Sequence, residues 1–94
     1  MYGQILSDTG MLLNNELLQL VHLKLAKGES VKPHDHKGQE VFFTLISGSV
    51  LVTLEESEQH QLTPGRVLHF AGEARIGVEA QEDSEFFVYL INRK

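Results

Sequence analysis

The sequence predicts an all-β protein, a small antiparallel β-sandwich or barrel that forms one domain. Its 94 residues are enough for a single hydrophobic core. The apolar runs are short, rich in β-branched and aromatic residues, and separated by turn residues, which is typical of strands rather than helices. About seven or eight such strands fit a small barrel whose interior is open at one end. We therefore assign residues 1–94 to one domain.

The first half of the chain predicts three strands. In "ELLQLVHLKLAKG" (residues 16–28), apolar residues alternate with polar ones, so this strand has one buried face. "EVFFTLI" and "SVLVTL" flank Ser47 and Gly48, and we predict that they form a hairpin with a tight turn. Upstream, "GMLLNNELLQL" has leucines near helical spacing, but its two adjacent asparagines favour a turn over a helix.

The second half predicts further short strands separated by clear turn signals. "EESEQ" (residues 55–59) is a solvated turn, and "TPGR" (residues 63–66) is a Pro-Gly turn. The segments "HQL", "VLHF" and "RIGVEA" are short strands, and "EFFVYLI" (residues 85–91) is a strand of nearly continuous apolar character. Because "EVFFTLI" and "EFFVYLI" are apolar on both faces, we expect a homodimer that covers the outward-facing residues.

Composition and charge exclude several classes of function. The formal net charge of −5 gives no broad attraction for phosphate backbones, so nucleic acid is not an expected partner. There is no cysteine, which excludes disulfides, thiolate metal ligands and a cysteine nucleophile. "MYGQILSDTG" has no signal-peptide pattern, and no apolar run is long enough to span a membrane. We expect a soluble cytoplasmic protein without membrane contact.

The stretch "PHDHKGQE" carries the candidate chemistry. His34 and His36 are two residues apart, so in an extended strand both imidazoles point to the same side. Glu40 follows after a short turn and could return a carboxylate to the same point. Two neutral nitrogens and one carboxylate oxygen suit a divalent transition metal such as Fe, Mn, Ni, Cu or Zn. The alternative is that these histidines belong to a solvated loop.

These residues resemble a known family. Gly28, His34, His36, Glu40 and Gly48 are spaced like the first motif of the cupin superfamily, and "LTPGRVLHFAGEARI" resembles its second motif. The resemblance covers about residues 16–94 and leaves residues 1–15 as an N-terminal extension or an extra strand. It implies the double-stranded β-helix, a conical barrel with its site inside. There are two departures from the pattern. One extra residue lies between Glu40 and Gly48, and Ile76 occupies the position of the third histidine ligand.

His69 is a candidate replacement for that missing ligand. If "AGEA" (residues 71–74) is a four-residue hairpin loop, Phe70 pairs with Arg75 and His69 lies opposite Ile76 on the same face of the sheet. The candidate metal ligands are then His34, His36, Glu40 and His69. In the alternative interpretation, His69 only packs in or on the barrel wall.

Two main hypotheses for the function follow from the resemblance. The first is a metal-dependent oxygenase or isomerase that admits a small-molecule substrate to the open coordination positions. The second is a non-catalytic binding or sensory module whose metal site has decayed, with Ile76, "VFF" and "VLHF" lining a pocket for a small organic molecule. A third is a partner-binding subunit without pocket chemistry. The fold by itself does not choose among them.

Overall fold

The computed structural model describes residues 2–93, and within them the chain forms nine β-strands and no helix. The predicted all-β class is therefore confirmed. Nothing in the described range is a helix long and apolar enough to cross a lipid bilayer. The strands are β1 (Gly10–Asn14), β2 (Leu18–Leu25), β3 (Ser30–His34), β4 (Gln39–Ser47), β5 (Val50–Leu54), β6 (Glu58–Leu62), β7 (Val67–Ala71), β8 (Ile76–Ala80) and β9 (Ser84–Asn92).

The strands form two antiparallel sheets that face each other. The five-stranded sheet has the order β1-β2-β9-β4-β7, and the four-stranded sheet has the order β3-β8-β5-β6. After β2 the chain passes repeatedly from one sheet to the other, so most neighbouring strands within a sheet are distant in sequence. This arrangement closes the two sheets around one interior.

The core is built from the alternate residues of each strand that point between the sheets. In β4, Val41, Phe43 and Leu45 are each about 1% exposed, and they pack against Phe86 and Leu90 of β9. The rings of Phe43 and Phe86 are stacked with their centroids 4.4 Å apart. Burying a large apolar side chain contributes about 1.5–3 kcal/mol, so these residues determine which face of each strand is inside.

The segment with near-helical leucine spacing forms strand and turn. β1 pairs with β2, and a turn at Asn15 joins the two strands. The side-chain oxygen of Asn15 accepts hydrogen bonds from the backbone N–H groups of Leu17 and Leu18, at 2.8 Å and 3.0 Å. This is the local bonding that makes asparagine a turn former, and the prediction of a turn is confirmed.

The predicted hairpin around Ser47 and Gly48 is wrong. β4 pairs with β7 and β9 in the five-stranded sheet, whereas β5 pairs with β6 and β8 in the four-stranded sheet. The turn is tight, as predicted, but it carries the chain between the sheets. A turn signal specifies a reversal of direction, and the pairing of the flanking strands depends on which partners bury their inner faces.

The predicted hairpin across residues 71–74 is wrong for the same reason. Phe70 pairs with Val41 and His69 pairs with Phe42, while Ile76 pairs with His34 on one side and Leu54 on the other. The predicted turn after β5 is confirmed, since Glu55 and Glu56 are exposed there with positive φ angles of 53° and 62°. That turn closes the β5–β6 hairpin.

Gly48 provides a test of how closely the β4–β5 turn packs. It has a φ angle of +87°, and a Cβ atom added there would lie 2.3 Å from the Asp83 carbonyl oxygen. Gly65 has a similar φ of +90° but open space around its Cα. We expect Gly65→Ala to lower the free energy of unfolding by about 1–2 kcal/mol, which is the cost of the left-handed conformation.

Gly48→Ala should carry the same conformational cost plus about 1–3 kcal/mol for the steric clash. Urea denaturation of both variants measures the difference. Equal losses in the two variants would show that the turn at Gly48 is not closely packed against β9.

Candidate functional site

A cavity of ≈ 100 Å³ lies between the two sheets. Its walls come from both sheets and are apolar except at one end, where His34 and His36 line it. The apolar lining residues are Val21, Leu23, Val31, Val41, Phe43, Ile76, Val78, Phe86, Val88 and Leu90. Val41, Phe43 and Ile76 contribute as the small-molecule hypothesis expects, but Phe42 and the "VLHF" segment of β7 are absent from this lining.

His34 and His36 lie next to each other at this end. His34 is the last residue of β3 and His36 lies in the loop that follows. Their ring centroids are 4.7 Å apart in an edge-to-face arrangement. The backbone carbonyl of Lys32 accepts a hydrogen bond from His34 Nδ1 at 2.9 Å, which leaves Nε2 of the neutral ring free to accept a proton, a ligand or a metal ion.

The pKa of His36 is lowered from its ordinary value of 6.5. Burial is the main cause because it disfavours the charged form. The neighbouring His34 lowers the pKa further, whereas Asp35 opposes the shift. His36 is therefore neutral at pH 7, and this is the form that can coordinate a metal or accept a hydrogen bond.

Backbone contacts with Gly72 hold the loop that carries His36. The Gly72 carbonyl accepts the His36 N–H at 2.7 Å, and the Gly72 N–H donates to the Gln39 carbonyl at 2.7 Å. A Cβ atom at Gly72 would lie 2.0 Å from the His36 carbonyl oxygen. Only glycine fits at this position. The close contact and the two hydrogen bonds fix the loop after β3, which carries His36, against the turn after β7.

A charged cluster on the outer side reinforces this contact. The Glu73 carboxylate accepts the Gly38 N–H at 2.9 Å and pairs with the guanidinium of Arg93. The Arg93 N–H donates to the Gly38 carbonyl at 2.9 Å. The hydrogen bonds from Arg93 and Gly38 lower the pKa of Glu73 to about 2. Sequence inspection missed this cluster because its members are distant along the chain and match no motif.

Glu40 does not reach the cavity. It occupies β4 one position before Val41, on the opposite face, where Oε1 lies 2.7 Å from His69 Nε2 and Oε2 lies 3.2 Å from Arg93 Nη1. The pairing of β4 with β9 slips by one residue between Leu45 and Ser47, which is a β-bulge. The extra residue between Glu40 and Gly48 is accommodated at this bulge. Because side chains alternate between the two faces of a strand, one inserted residue changes the face on which Glu40 lies relative to Gly48.

His69 also lies outside the barrel. Its ring stacks on Phe42 with the centroids 4.5 Å apart, its side chain is 53% exposed, and it bonds to Glu40. The hairpin that would have turned it inward is not formed. Ile76, opposite His34, is buried and lines the cavity.

The structure therefore brings together His34 and His36 but not Glu40 or His69. Across residues 2–93, no three or more His, Cys, Asp or Glu side chains cluster closely enough to hold one metal ion. The donors at the cavity are two imidazoles beside an isoleucine, and they do not fit the three-histidine and glutamate set that the resemblance implies.

Comparison with known proteins agrees with this architecture. The family described as "Cupin domain" matches residues 21–92. The uncharacterised protein MJ0764 of Methanocaldococcus jannaschii is 28% identical over 79 residues, which cover 82% of this chain and 67% of that protein.

Solved structures resemble the whole barrel. The crystal structure of MJ0764, an RmlC-like cupin with a double-stranded β-helix fold, has a TM-score of 0.86 at 22% identity and covers 99% of this chain and 94% of its own. KdgF from Halomonas sp. has a TM-score of 0.77 at 25% identity, covering 89% and 78%. SPY1581 of Streptococcus pyogenes, of unknown function, has a TM-score of 0.80 at 17% identity, covering 89% and 72%. The predicted double-stranded β-helix is confirmed.

The lowered pKa of His36 predicts a specific contribution to acid sensitivity. Below pH 6.5 the unfolded chain binds a proton at this residue that the folded chain resists, so the free energy of unfolding should fall as pH decreases from 7 to 5. His36→Gln should reduce this pH dependence, whereas Gln59→Ala, an exposed substitution that removes no ionisable group, should leave it unchanged. Chemical denaturation at several pH values measures both. An unchanged pH profile in His36→Gln would contradict the burial of the imidazole.

Proposed function

The chain belongs to the Cupin domain family, and we propose that it binds a small organic molecule inside the barrel. The observation that carries this proposal is the apolar cavity of ≈ 100 Å³ with His34 and His36 at one end. Pockets for small molecules combine apolar walls with a few polar groups that orient the ligand. Here the two imidazoles supply the polar groups, and the apolar walls supply the affinity.

The size and polarity of the cavity define the class of ligand. A cavity of about 150 Å³ holds benzene. The smaller cavity of this chain, ≈ 100 Å³, therefore suits a molecule no larger than benzene, or the apolar end of a larger molecule. A hydroxyl or carboxylic acid proton at the other end could be donated to His36 or to Nε2 of His34. The module then acts as a non-catalytic binding or sensory cupin.

Filling the cavity should weaken ligand binding. Val88 lines the cavity and is only partly buried, so Val88→Phe should add a ring to the cavity at a cost in stability of about 1–3 kcal/mol. Circular dichroism of the variant checks that it is folded. Benzene and isobutanol are suitable probes. Their binding is measured from the changes in the methyl chemical shifts of the lining residues as each probe is added. Leu51→Phe, on the opposite face of β5 from the core residues Val50 and Val52, is the matched control.

We expect saturable shifts in the wild type and in Leu51→Phe, and a loss of affinity of at least about tenfold in Val88→Phe, which is a cost of about 1.4 kcal/mol. Equal binding by Val88→Phe and wild type would mean that the probes bind outside the barrel.

Metal binding is a second candidate function, favoured by the adjacent imidazoles at 4.7 Å. Two histidines can bind Ni(II) or Zn(II), with water or a small ligand completing the coordination. An oxygenase or isomerase activity would depend on this ion. Because a third imidazole is replaced by Ile76, we propose weak binding that depends on His34 and His36.

Calorimetric titration of untagged protein with Ni(II) tests this candidate. His34→Ala and His36→Ala should each lower the affinity at least about tenfold, and Glu40→Ala and His69→Ala should leave it unchanged because both residues lie outside the barrel. Ile76→His should raise the affinity by adding an imidazole opposite His34. If the affinity survives in His34→Ala/His36→Ala, Ni(II) binds elsewhere on the chain.

We also propose a homodimer that buries the outward-facing side of the five-stranded sheet, here called the outer face. Its apolar residues are Leu18, Leu20, Phe42, Val67, Phe87, Tyr89 and Ile91. These residues alternate with the core residues of β2, β4, β7 and β9. Val67 is 56% exposed and Tyr89 is 37% exposed, and an apolar surface of this extent on a sheet marks an interaction site.

The two carboxylates on the strands of the outer face each have a partner in the same chain. Glu40 pairs with His69 and Arg93, and Glu85 pairs with His22 at 2.6 Å. Two copies of this face can therefore approach each other without repulsion between unpaired carboxylates. A second copy of the chain, which presents the same apolar surface, is the partner that this face suits.

A further inference from the structure

His36 lies in a short loop rather than in a strand. The loop consists of residues 35–38, between β3 and β4, and we call it the His36 loop. The imidazole of His36 lines the cavity. Because strand pairing does not fix a loop, the position of this ring depends on the contacts that the loop makes with other segments.

His34 is held independently of that loop. It is the last residue of β3 and pairs with Ile76 of β8. Its Nδ1 donates a hydrogen bond to the Lys32 carbonyl, which belongs to the same strand. A shift of the His36 loop would therefore move one imidazole of the cavity and leave the other in place.

One carboxylate oxygen joins the His36 loop to two other segments. Oε2 of Glu73, in the turn after β7, accepts the Gly38 N–H at 2.9 Å and also pairs with the guanidinium of Arg93. The Gly38 carbonyl accepts the Arg93 N–H at 2.9 Å. Both backbone groups of Gly38 are thus bonded, one to Glu73 and one to Arg93.

Asn92 fixes the backbone that presents Arg93. The Asn92 N–H donates to the Leu17 carbonyl at 2.9 Å, and its side-chain amide donates to the Glu16 carbonyl at 2.9 Å. Its Oδ1 accepts a hydrogen bond from Gln39 Nε2 at 2.8 Å. The end of β9 is therefore bound to the turn between β1 and β2 and to the start of β4, and Arg93 extends from a fixed point.

The pair of Glu73 and Arg93 affects local geometry more than global stability. The two side chains are 50% and 39% exposed, and exposed ion pairs contribute little to folding because water and salt screen them. Loss of the pair also leaves the bond from the His36 N–H to the Gly72 carbonyl in place. The loop then stays attached to the barrel, but Gly38 loses the acceptor that sets its direction.

We infer that Glu73 and Arg93 are positioning residues for His36, and that they thereby set the preference of the cavity for ligands with a hydroxyl or carboxylic acid group. Glu73 holds Gly38, and Arg93 orients Glu73. This inference rests on the proposed binding of a small organic molecule. Apolar contact with the cavity walls involves neither residue, so the affinity for a purely apolar ligand is independent of them.

Isobutanol and benzene separate the two contributions, because only isobutanol has a hydroxyl that can donate to His36. Glu73→Ala and Arg93→Gln should each lower the affinity for isobutanol about three- to tenfold, which corresponds to one hydrogen bond. The affinity for benzene should change less than about twofold in both variants. Titrations followed by methyl chemical shifts measure the two affinities.

Two further variants complete this comparison. Glu73→Gln keeps an oxygen acceptor for the Gly38 N–H, so it should lose less affinity for isobutanol than Glu73→Ala. Glu82→Ala removes a carboxylate from the exposed turn between β8 and β9, at the other end of β8 from Ile76. It is the matched control and should bind both probes like the wild type.

The double variant tests whether Arg93 acts through Glu73. Residues that act through one contact have non-additive effects, so Glu73→Ala/Arg93→Gln should bind isobutanol as weakly as Glu73→Ala alone. Additive losses would overturn the assignment of Arg93, because its guanidinium would then act by another route.

NMR of the free protein locates the ring without any ligand. The ring centroids of His34 and His36 are 4.7 Å apart, and NOEs between the two rings, and from His36 to the cavity methyl groups, report this position. These NOEs should weaken in Glu73→Ala and persist in Glu82→Ala. Urea denaturation of both variants checks that each is folded.

The outcomes separate this inference from the proposed function. Wild-type protein that binds neither probe overturns the proposed ligand binding and the selectivity that rests on it. Unchanged NOEs in folded Glu73→Ala overturn the positioning role, whether or not a probe binds. Equal losses of affinity for benzene and isobutanol overturn the inference as well, because the substitutions would then disturb the cavity as a whole.

Discussion

The burial of Val41, Phe43 and Leu45 on the inner face of β4 determines where most of the functional side chains lie. These residues are almost completely excluded from water, and exposing any of them would cost about 1.5–3 kcal/mol. Because side chains of a strand alternate between faces, Glu40 and Phe42 must then lie outside. Because His69 of β7 pairs with Phe42 of β4, His69 must lie on the same outer side. A glutamate and a histidine with the chemistry of metal ligands are held on the outer side by packing alone.

The interior has a different chemistry from the one that its histidines suggest. Apolar walls and a low dielectric keep His36 neutral, and the Lys32 carbonyl orients His34. The ring of His36 and Nε2 of His34 remain available for a hydrogen bond with a ligand. The adjoining wall is Ile76, so apolar contact dominates the remaining surface. These features are the basis for proposing recognition of a small molecule ahead of tight capture of a metal ion.

The outer surface of the five-stranded sheet and the loops at the cavity end share one set of charges. Arg93 contacts both Glu40, on the outer face side, and Glu73, which holds Gly38 in the loop beside His36. The same guanidinium thus stabilises the loop register near the cavity and neutralises a carboxylate next to the proposed dimer surface. Arg93 therefore connects the loop beside the cavity with the carboxylate next to the proposed dimer surface.

The sequence by itself determined the all-β class, the family resemblance, most strands and the adjacency of His34 and His36, because these depend on alternation and spacing over a few residues. The turns at Asn15 and at residues 55–57 were also predictable from local bonding preferences. Only the tertiary structure decided the strand partners. Ser47 and Gly48 predicted a hairpin, but the strands that flank them, β4 and β5, belong to different sheets. The strands that flank residues 71–74, β7 and β8, also belong to different sheets. Pairing is a non-local choice made by burial across the whole barrel. For that reason the positions of Glu40 and His69 and the apolar cavity followed from the fold and not from any motif.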